Sequence, residues 1–264
     1  IGRNEQLRDI SSIGLKTVIN ELPLTTQSLA ASVCKTMVGR LTRAIAQDEC
    51  QDVSVQLEAL DILGDLLSRF GGLLIQFHPS LQEALTPQLK SPRLAVRKRS
   101  VIALGHLVMS CDQALYTKLI SLLLAELESS SSSTLNKRTY IQAVGALCRQ
   151  AGHRFGDHVE RVVPLVLEYA KEEDDELREH CLQDCENMIL KCGKEITPHI
   201  PAILSLCLEY ICYDPNYNYD EADEGTKTWS WILMRRNTPE MTLKMNTRTM
   251  MTCPGRSDAR QPSV

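Results

Sequence analysis

One stretch of the sequence gathers residues that could bind a metal ion, namely His180, Cys181, Cys185, Cys192 and His199. Thiolate and imidazole are ligands that zinc prefers, and structural zinc sites usually contain paired cysteines a few residues apart. This stretch has no C-x2-C pair. Cys181 and Cys185 also stand where the chain elsewhere repeats small or aliphatic residues, so burial as core thiols is favoured over metal binding. We expect no metal and no cofactor.

Other catalytic signatures are missing from the sequence. It contains no G-x-S-x-G, H-E-x-x-H or P-loop motif. Gly71-Gly72 and Gly152 are better explained as helix ends, where glycine tolerates left-handed backbone geometry. We therefore predict that the chain is not an enzyme. The 29 Lys and Arg against 33 Asp and Glu also argue against direct nucleic-acid binding, which needs a basic face. No apolar run approaches the roughly 20 residues of a membrane helix.

Two charged clusters are candidates for protein binding. Between residues 84 and 111 the chain carries basic residues and no acidic one, and these are Lys90, Arg93, Arg97, Lys98 and Arg99. Arg93, Lys98 and Arg99 either attract an acidic partner surface or form a solvated helix face. Arg97, with its repeat equivalent Arg178, is instead expected to join a structural ladder between repeats. The acids of residues 172–176 are expected to cap a helix N-terminus.

A segment rich in tyrosine and aspartate follows at residues 213–224. It has no helical period, so it is either an exposed linker or a contact site anchored by its tyrosines. The candidate contact residues are Tyr213, Asp214, Tyr217 and Tyr219. Beyond it the charge balance changes, from 22 basic and 31 acidic residues in 1–224 to seven and two in 225–264.

These groups must be positioned by a repeat of about forty residues. The frame at 94–107 has an apolar residue followed by arginine, then a small residue, then Leu-Gly-x-Leu. The same frame recurs at Val55, at Asn136 and more weakly at Leu177, and a unit around Leu7 precedes them. The unit spacings are 48, 41, 40 and 41 residues. With apolar residues at i, i+3, i+4 and i+7, this period is typical of stacked helical hairpins.

The sequence therefore predicts an all-α fold, a HEAT- or armadillo-type α-solenoid of about five helical hairpins. The predicted units are residues 4–47, 52–90, 92–128, 134–172 and 174–213. An acidic linker at 214–224 and a disordered tail at 225–264 are predicted to follow. In the second unit, Leu81, Leu85 and Leu89 mark the second helix.

The cysteines agree with a helical core in a reducing compartment. Six of the ten lie in apolar stretches and are expected to be buried, and these are Cys34, Cys111, Cys148, Cys181, Cys185 and Cys207. Reduced thiols indicate the cytoplasm or nucleus. The chain opens at Ile1 without an initiator methionine, so we expect a fragment of a longer protein.

Several strings are more specific than the general repeat. They are QLRDISSIGLK at residues 6–16, SPRLAVRKR at 91–99, ALGHL at 103–107, RQAGHR at 149–154, DDELRE at 174–179 and YDPNYNYD at 213–220. Over about residues 5–224 the chain resembles the cullin-associated, neddylation-dissociated protein family, and specifically its N-terminal arm.

The resemblance implies a scaffold that binds an unneddylated cullin with its RING-box subunit. Such a scaffold excludes the adaptor and substrate-receptor module and promotes receptor exchange between ubiquitin ligases. Members of the family are also described as binding the TATA-binding protein. The alternative function is that of another HEAT-repeat scaffold, such as a TATA-binding-protein-interacting transcription factor or a transport receptor.

The resemblance also suggests an origin for residues 225–264. In the family, an acidic linker at this place leads into the segment Met-Ser-Trp-Lys-Val-Arg-Arg. Codons for residues 250–264, read one base upstream, can encode Asp-Asp-Asp followed by that segment. We therefore interpret the tail as an out-of-frame translation without an evolved function.

Overall fold

The computed structural model describes residues 5–23, 27–46, 52–129 and 133–211, and these ranges contain ten α-helices and no strand. The helices are α1 Glu5–Glu21, α2 Gln27–Ala46, α3 Val53–Phe70, α4 His78–Leu85, α5 Leu94–Ser110, α6 Gln113–Glu128, α7 Thr134–Ala151, α8 Val159–Tyr169, α9 Asp175–Lys191 and α10 Ile200–Tyr210. The predicted all-α fold is confirmed. The chain divides into units Ile1–Tyr213 and Asp214–Val264. The predicted linker and tail lie outside the described residues.

The helices pack in two layers. Odd-numbered helices lie side by side in chain order, so that α3 packs against α1 and α5, and α7 against α5 and α9. Even-numbered helices form the second layer, and α2, α6 and α8 each pack against the helix that follows. Each pair thus buries its apolar face against neighbouring pairs, which is how a solenoid is stabilised. No helix within the described ranges is long and apolar enough to cross a membrane.

The core lies between the two layers and follows the repeated frame. In α3 the buried side chains recur at helical spacing, and those at most 1% exposed include Ala59, Leu60, Leu63, Leu66 and Leu67. A fully buried leucine stabilises the fold by about 1.5–3 kcal/mol relative to an exposed one. The periodicity that defined the repeat therefore also defines the core.

Four helices begin at a polar side chain that accepts a hydrogen bond from a backbone N–H. Asp52 caps α3 by accepting from the Ser54 N–H at 3.1 Å, and Asp112 caps α6 by accepting from the Leu115 N–H at 2.7 Å. Ser133 caps α7 by accepting from the Asn136 N–H at 3.4 Å, and Asp174 caps α9 by accepting from the Leu177 N–H at 2.9 Å. Each cap satisfies an N–H group that has no partner inside the helix. The caps of α3, α7 and α9 fix where three of the helix pairs start, and the cap of α6 fixes the start of a second helix.

The two predicted glycine stops end their helices by different means. Gly152 follows α7 with φ of 57° and ψ of −129°, a positive-φ conformation that glycine adopts without strain. The same explanation was wrong for Gly71, which has φ of −50° and begins a 3-10 turn to Leu73. A Cβ atom at Gly71 would lie 2.4 Å from Ser110 Oγ of α5. Glycine is required there by close packing between neighbouring units.

The second helix of the second unit is shorter than predicted. α4 ends at Leu85, and residues Thr86–Lys90 form a 3-10 turn that contains Pro87. Proline has no N–H, and its ring crowds the preceding helical turn, so Pro87 disfavours continuation of the α-helix here. Leu89 nevertheless remains fully buried, because the 3-10 turn continues along the same core face.

Candidate protein-interaction surfaces

The contiguous basic cluster around α5 is largely neutralised by acids from other parts of the stack. Lys90, Lys98 and Arg99 each approach a carboxylate, the pairs being Lys90–Glu126 at 2.7 Å, Lys98–Glu176 at 3.7 Å and Arg99–Asp61 at 2.6 Å. Arg93 is exposed at the start of α5 and has no ion pair with any described residue. The structure therefore does not bring the cluster together as one unpaired basic face. Partner binding by Arg93, Lys98 and Arg99 stays a prediction.

Arg97 has the structural role that its position in the repeat predicted. It is 6% exposed and donates to the carbonyls of Ser91 at 2.8 Å and Pro92 at 3.2 Å, and to Thr139 Oγ1 of α7 at 3.0 Å. Its equivalent Arg178 donates to the carbonyls of the loop before α9. The arginine at this position therefore ties α5 and α9 to the connections that precede them.

Two aromatic–cation contacts repeat with the same spacing as the ladder and were missed by the sequence analysis. Lys137 Nζ lies 4.9 Å from the ring centre of Tyr169, and the Arg178 guanidinium lies 4.8 Å from that of Tyr210. The Tyr210 hydroxyl also donates to the carbonyl of Ala170 at 2.9 Å. The sequence contained a signal for this repeat, because the two tyrosines are 41 positions apart and so are the two cations. These contacts join the two helices of each of the last two units.

The acidic cluster before α9 acts as predicted at a helix N-terminus. Asp174 caps α9 and also accepts from Arg138 Nε of α7 at 2.9 Å. Arg138 reaches Glu176 as well, at 2.6 Å. Because the capping carboxylate is hydrogen bonded and ion paired, its pKa is lowered despite the opposing effect of burial. The cluster therefore joins two neighbouring units.

The candidate metal-binding thiols and imidazoles lie on different elements, with Cys181 and Cys185 on α9 and His199 in the turn before α10. Cys181 and Cys185 are fully buried, and burial raises the pKa of the Cys185 thiol to about 12 and also raises that of Cys181. Such protonated thiols are poor nucleophiles and poor metal ligands. His199 Nε2 instead faces Glu160 at 3.3 Å. In the part of the chain that the structure describes, no three His, Cys, Asp or Glu side chains could hold a metal ion.

Cys207 corrects one burial prediction. The other five cysteines expected in the core are buried, but Cys207 of α10 is exposed. α10 is the last helix described, and its outer side has no described helix packed against it. The large apolar side chains exposed on α10 and just after it are Ile200, Leu204, Leu208 and Ile211. The period of the sequence predicted a buried position without showing whether a neighbour covers it.

The remaining candidate contact residues lie outside the described residues, and they are Tyr213, Asp214, Tyr217 and Tyr219. The structure shows instead an exposed basic face on α2, formed by Lys35, Arg40 and Arg43. The sequence analysis did not single out these three cations, although they lie within nine residues. The usable signal was the lack of any Asp or Glu in the 20 residues of α2.

A groove of about 450 Å³ separates α4 and α6 on the second layer. Its lining includes Lys90, Lys118 and Glu126, with Tyr140 of α7 at its side. The residues do not form a nucleophile–base pair, and the groove runs along the surface between two units. It suits contact with another protein better than chemistry on a small molecule.

Together these features define the class of protein as a HEAT-type α-solenoid with extended charged faces. Residues 53–107 match the family model for the HEAT-like repeat. The crystal structure of Kap121p superposes with a TM-score of 0.57 at 18% identity, covering 82% of this chain and 21% of that chain, which shows the shared fold.

Sequence comparison identifies the family. The chain is 53% identical over 225 residues to Cullin-associated NEDD8-dissociated protein 1 of Drosophila melanogaster, which covers 85% of this chain and 18% of the relative. It is 55% identical over 220 residues to Cullin-associated NEDD8-dissociated protein 2 of Rattus norvegicus, covering 82% of this chain and 17% of the relative. The chain belongs to the cullin-associated, NEDD8-dissociated protein family and spans less than a fifth of the length of these relatives.

Proposed function

We propose that this chain is part of a non-enzymatic scaffold that binds an unneddylated cullin together with its RING-box subunit. The observation that carries the proposal is the 53–55% identity to relatives whose names state cullin association. A stack of helix pairs supports it, because such a stack offers a long contact surface built on a rigid core.

The mechanism we propose is steric exclusion. A solenoid that lies along the cullin occupies surface that the adaptor and substrate-receptor module also needs, so the two compete. Release of one module and capture of another then exchanges substrate receptors and assembles new ubiquitin ligases in the cytoplasm and nucleus. No bond is made or broken by the scaffold, and its binding energy is spread over many contacts along the helices.

The alternative scaffold functions have less support. The likeness to Kap121p rests on 18% identity and concerns the fold alone. Transport of cargo and binding of the TATA-binding protein therefore remain alternatives that the same purified chain can test. A transport receptor would release its cargo on adding a GTP-loaded small GTPase, whereas a cullin scaffold would not respond.

Co-purification tests the proposal with defined components. The immobilised 264-residue chain is incubated with a purified cullin–RING pair, either free or already bound to its adaptor and substrate receptor. We expect capture of the free pair and reduced capture of the loaded pair, because the scaffold and the module exclude each other. Equal capture of both would contradict steric exclusion, and no capture of either would contradict cullin binding by this chain.

A further inference from the structure

Among the described helices, α2 carries a basic face whose charge is not balanced. Lys35, Arg40 and Arg43 are all exposed, and none has an ion pair with any residue of the described ranges. The Arg43 guanidinium donates only to the carbonyl of Gly39, at 3.1 Å. A cation that is exposed and unpaired is available to an external carboxylate without first losing an internal one.

Several partly exposed cations of other helices are engaged by carboxylates, as shown by Arg99 with Asp61 at 2.6 Å and Arg138 with Glu176 at 2.6 Å. On α2 all three cations lack such a partner within the described residues. In the layer that contains α2, helices α4, α6, α8 and α10 each carry more acidic than basic residues. The positive charge of that layer is thus concentrated at α2.

The geometry of α2 suits an elongated ligand. At 1.5 Å per residue, Lys35 and Arg43 are about 12 Å apart along the helix axis, with Arg40 between them. Leu29 is 52% exposed and lies about 20° from Arg40 around the axis. The remaining side chains of this face are small, and they are Ser28, Ser32, Thr36 and Gly39. A partner backbone can therefore approach closely between the cations.

We infer that this α2 basic face, Lys35, Arg40 and Arg43 with Leu29, binds an acidic segment of the partner protein. The inference rests on the proposed function and names the chemistry of the partner surface that α2 contacts. Carboxylates about 12 Å apart match the cations, and an aliphatic side chain beside them matches Leu29. A nucleic acid is disfavoured, because three cations release few counterions and the whole chain has a net charge of −4.

The test compares two charge reversals with the same net charge. One variant carries Lys35→Glu, Arg40→Glu and Arg43→Glu. The control carries glutamate in place of three cations that are also exposed and unpaired but lie away from α2, which are Lys171, Lys191 and Lys194. Binding of the purified cullin–RING pair is measured at 50 and 300 mM KCl. We expect the α2 variant to bind at least about tenfold more weakly at low salt, with a flatter salt dependence, and the control to change less than about twofold.

The outcomes separate this inference from the proposed function. If the unaltered chain binds no cullin–RING pair, the proposed function fails. If it binds and both variants bind as well as it does, or both lose affinity equally, the α2 inference is overturned. A variant with glutamine at the same three α2 positions should show an intermediate loss. Loss of binding to a fluorescein-labelled 20-base-pair DNA duplex, with cullin binding intact, would assign the face to nucleic acid and overturn the inference too.

Discussion

Replacing Gly145 by alanine should destabilise the packing of α7 against α9, and Asp184 is the reason. A Cβ atom built at Gly145 would lie 1.8 Å from Asp184 Oδ1 and 2.8 Å from its Cγ. Asp184 is only 3% exposed, so its carboxylate has little room to withdraw. At the equivalent position Gly105, the nearest atoms are 3.5 Å away or farther, which is ordinary contact.

The expected magnitude follows from two opposing effects. Alanine is favoured over glycine in a helix by about 1 kcal/mol, and overpacking a core costs about 1–3 kcal/mol. With the contact at Asp184, the two effects leave a net loss of up to about 2 kcal/mol in the free energy of unfolding of Gly145→Ala. Asp184→Ala removes the side chain that a Cβ atom at Gly145 would meet, and alanine is the residue found at the equivalent positions Ala103 and Ala143. In that background Gly145→Ala should instead stabilise by up to about 1 kcal/mol.

Urea unfolding followed by far-UV circular dichroism measures this double-mutant cycle. The coupling between the two substitutions should be about 1–3 kcal/mol, because Asp184→Ala removes the overpacking cost and neighbouring side chains do not act additively. Gly14→Ala is the matched control, since a Cβ atom there has nothing within 4 Å, and it should not destabilise. An equal loss from Gly145→Ala with and without Asp184 would refute the packing argument.

Burial raises the pKa of the Asp184 carboxyl well above its usual range, so ionising this group costs folding free energy at higher pH. Relative to the unaltered chain, Asp184→Asn should therefore leave stability unchanged near pH 3 and raise it progressively above pH 4. Thermal melts across a pH series measure this, and a difference that does not vary with pH would count against it. Arg97→Met should lower the free energy of unfolding in urea by about 1–3 kcal/mol, since the loop carbonyls of Ser91 and Pro92 lose their donor. Arg97→Lys should restore only part, and an unchanged midpoint would contradict the ladder role. Leu206→Ala should cost about 2–4 kcal/mol and Leu208→Ala less than about 0.5 kcal/mol in the same assay, because Leu206 is 4% and Leu208 51% exposed, and similar losses would show that both are buried.

The repeat could be predicted because a solenoid uses the same local pattern in every unit. The recurring frame that starts at Val55, Val96 and Asn136 sets both the helix period and the core face, so helix type followed from it. Helix ends could be predicted where a single residue determines them, as at Asp174 and Gly152. Pro87 also accounts for the early end of α4, but the aliphatic spacing through Leu89 predicted a longer helix.

The charged surfaces could not be predicted in the same way. Asp61 and Glu176, which pair with Arg99 and Lys98, lie 38 and 78 positions away in the sequence. Their proximity depends on which helices stack and how each is rotated, and the sequence pattern specifies neither at the level of single side chains. The α2 basic face shows the converse, because Lys35, Arg40 and Arg43 are close in sequence but only the structure shows that no described carboxylate pairs with them.

The most direct test of the scaffold function is the dissociation constant of the 264-residue chain for a purified cullin–RING pair, measured with and without NEDD8 attached to the cullin. We predict that the unmodified pair binds at least about tenfold more tightly than the modified pair. Equal dissociation constants for the two forms would contradict the proposed function.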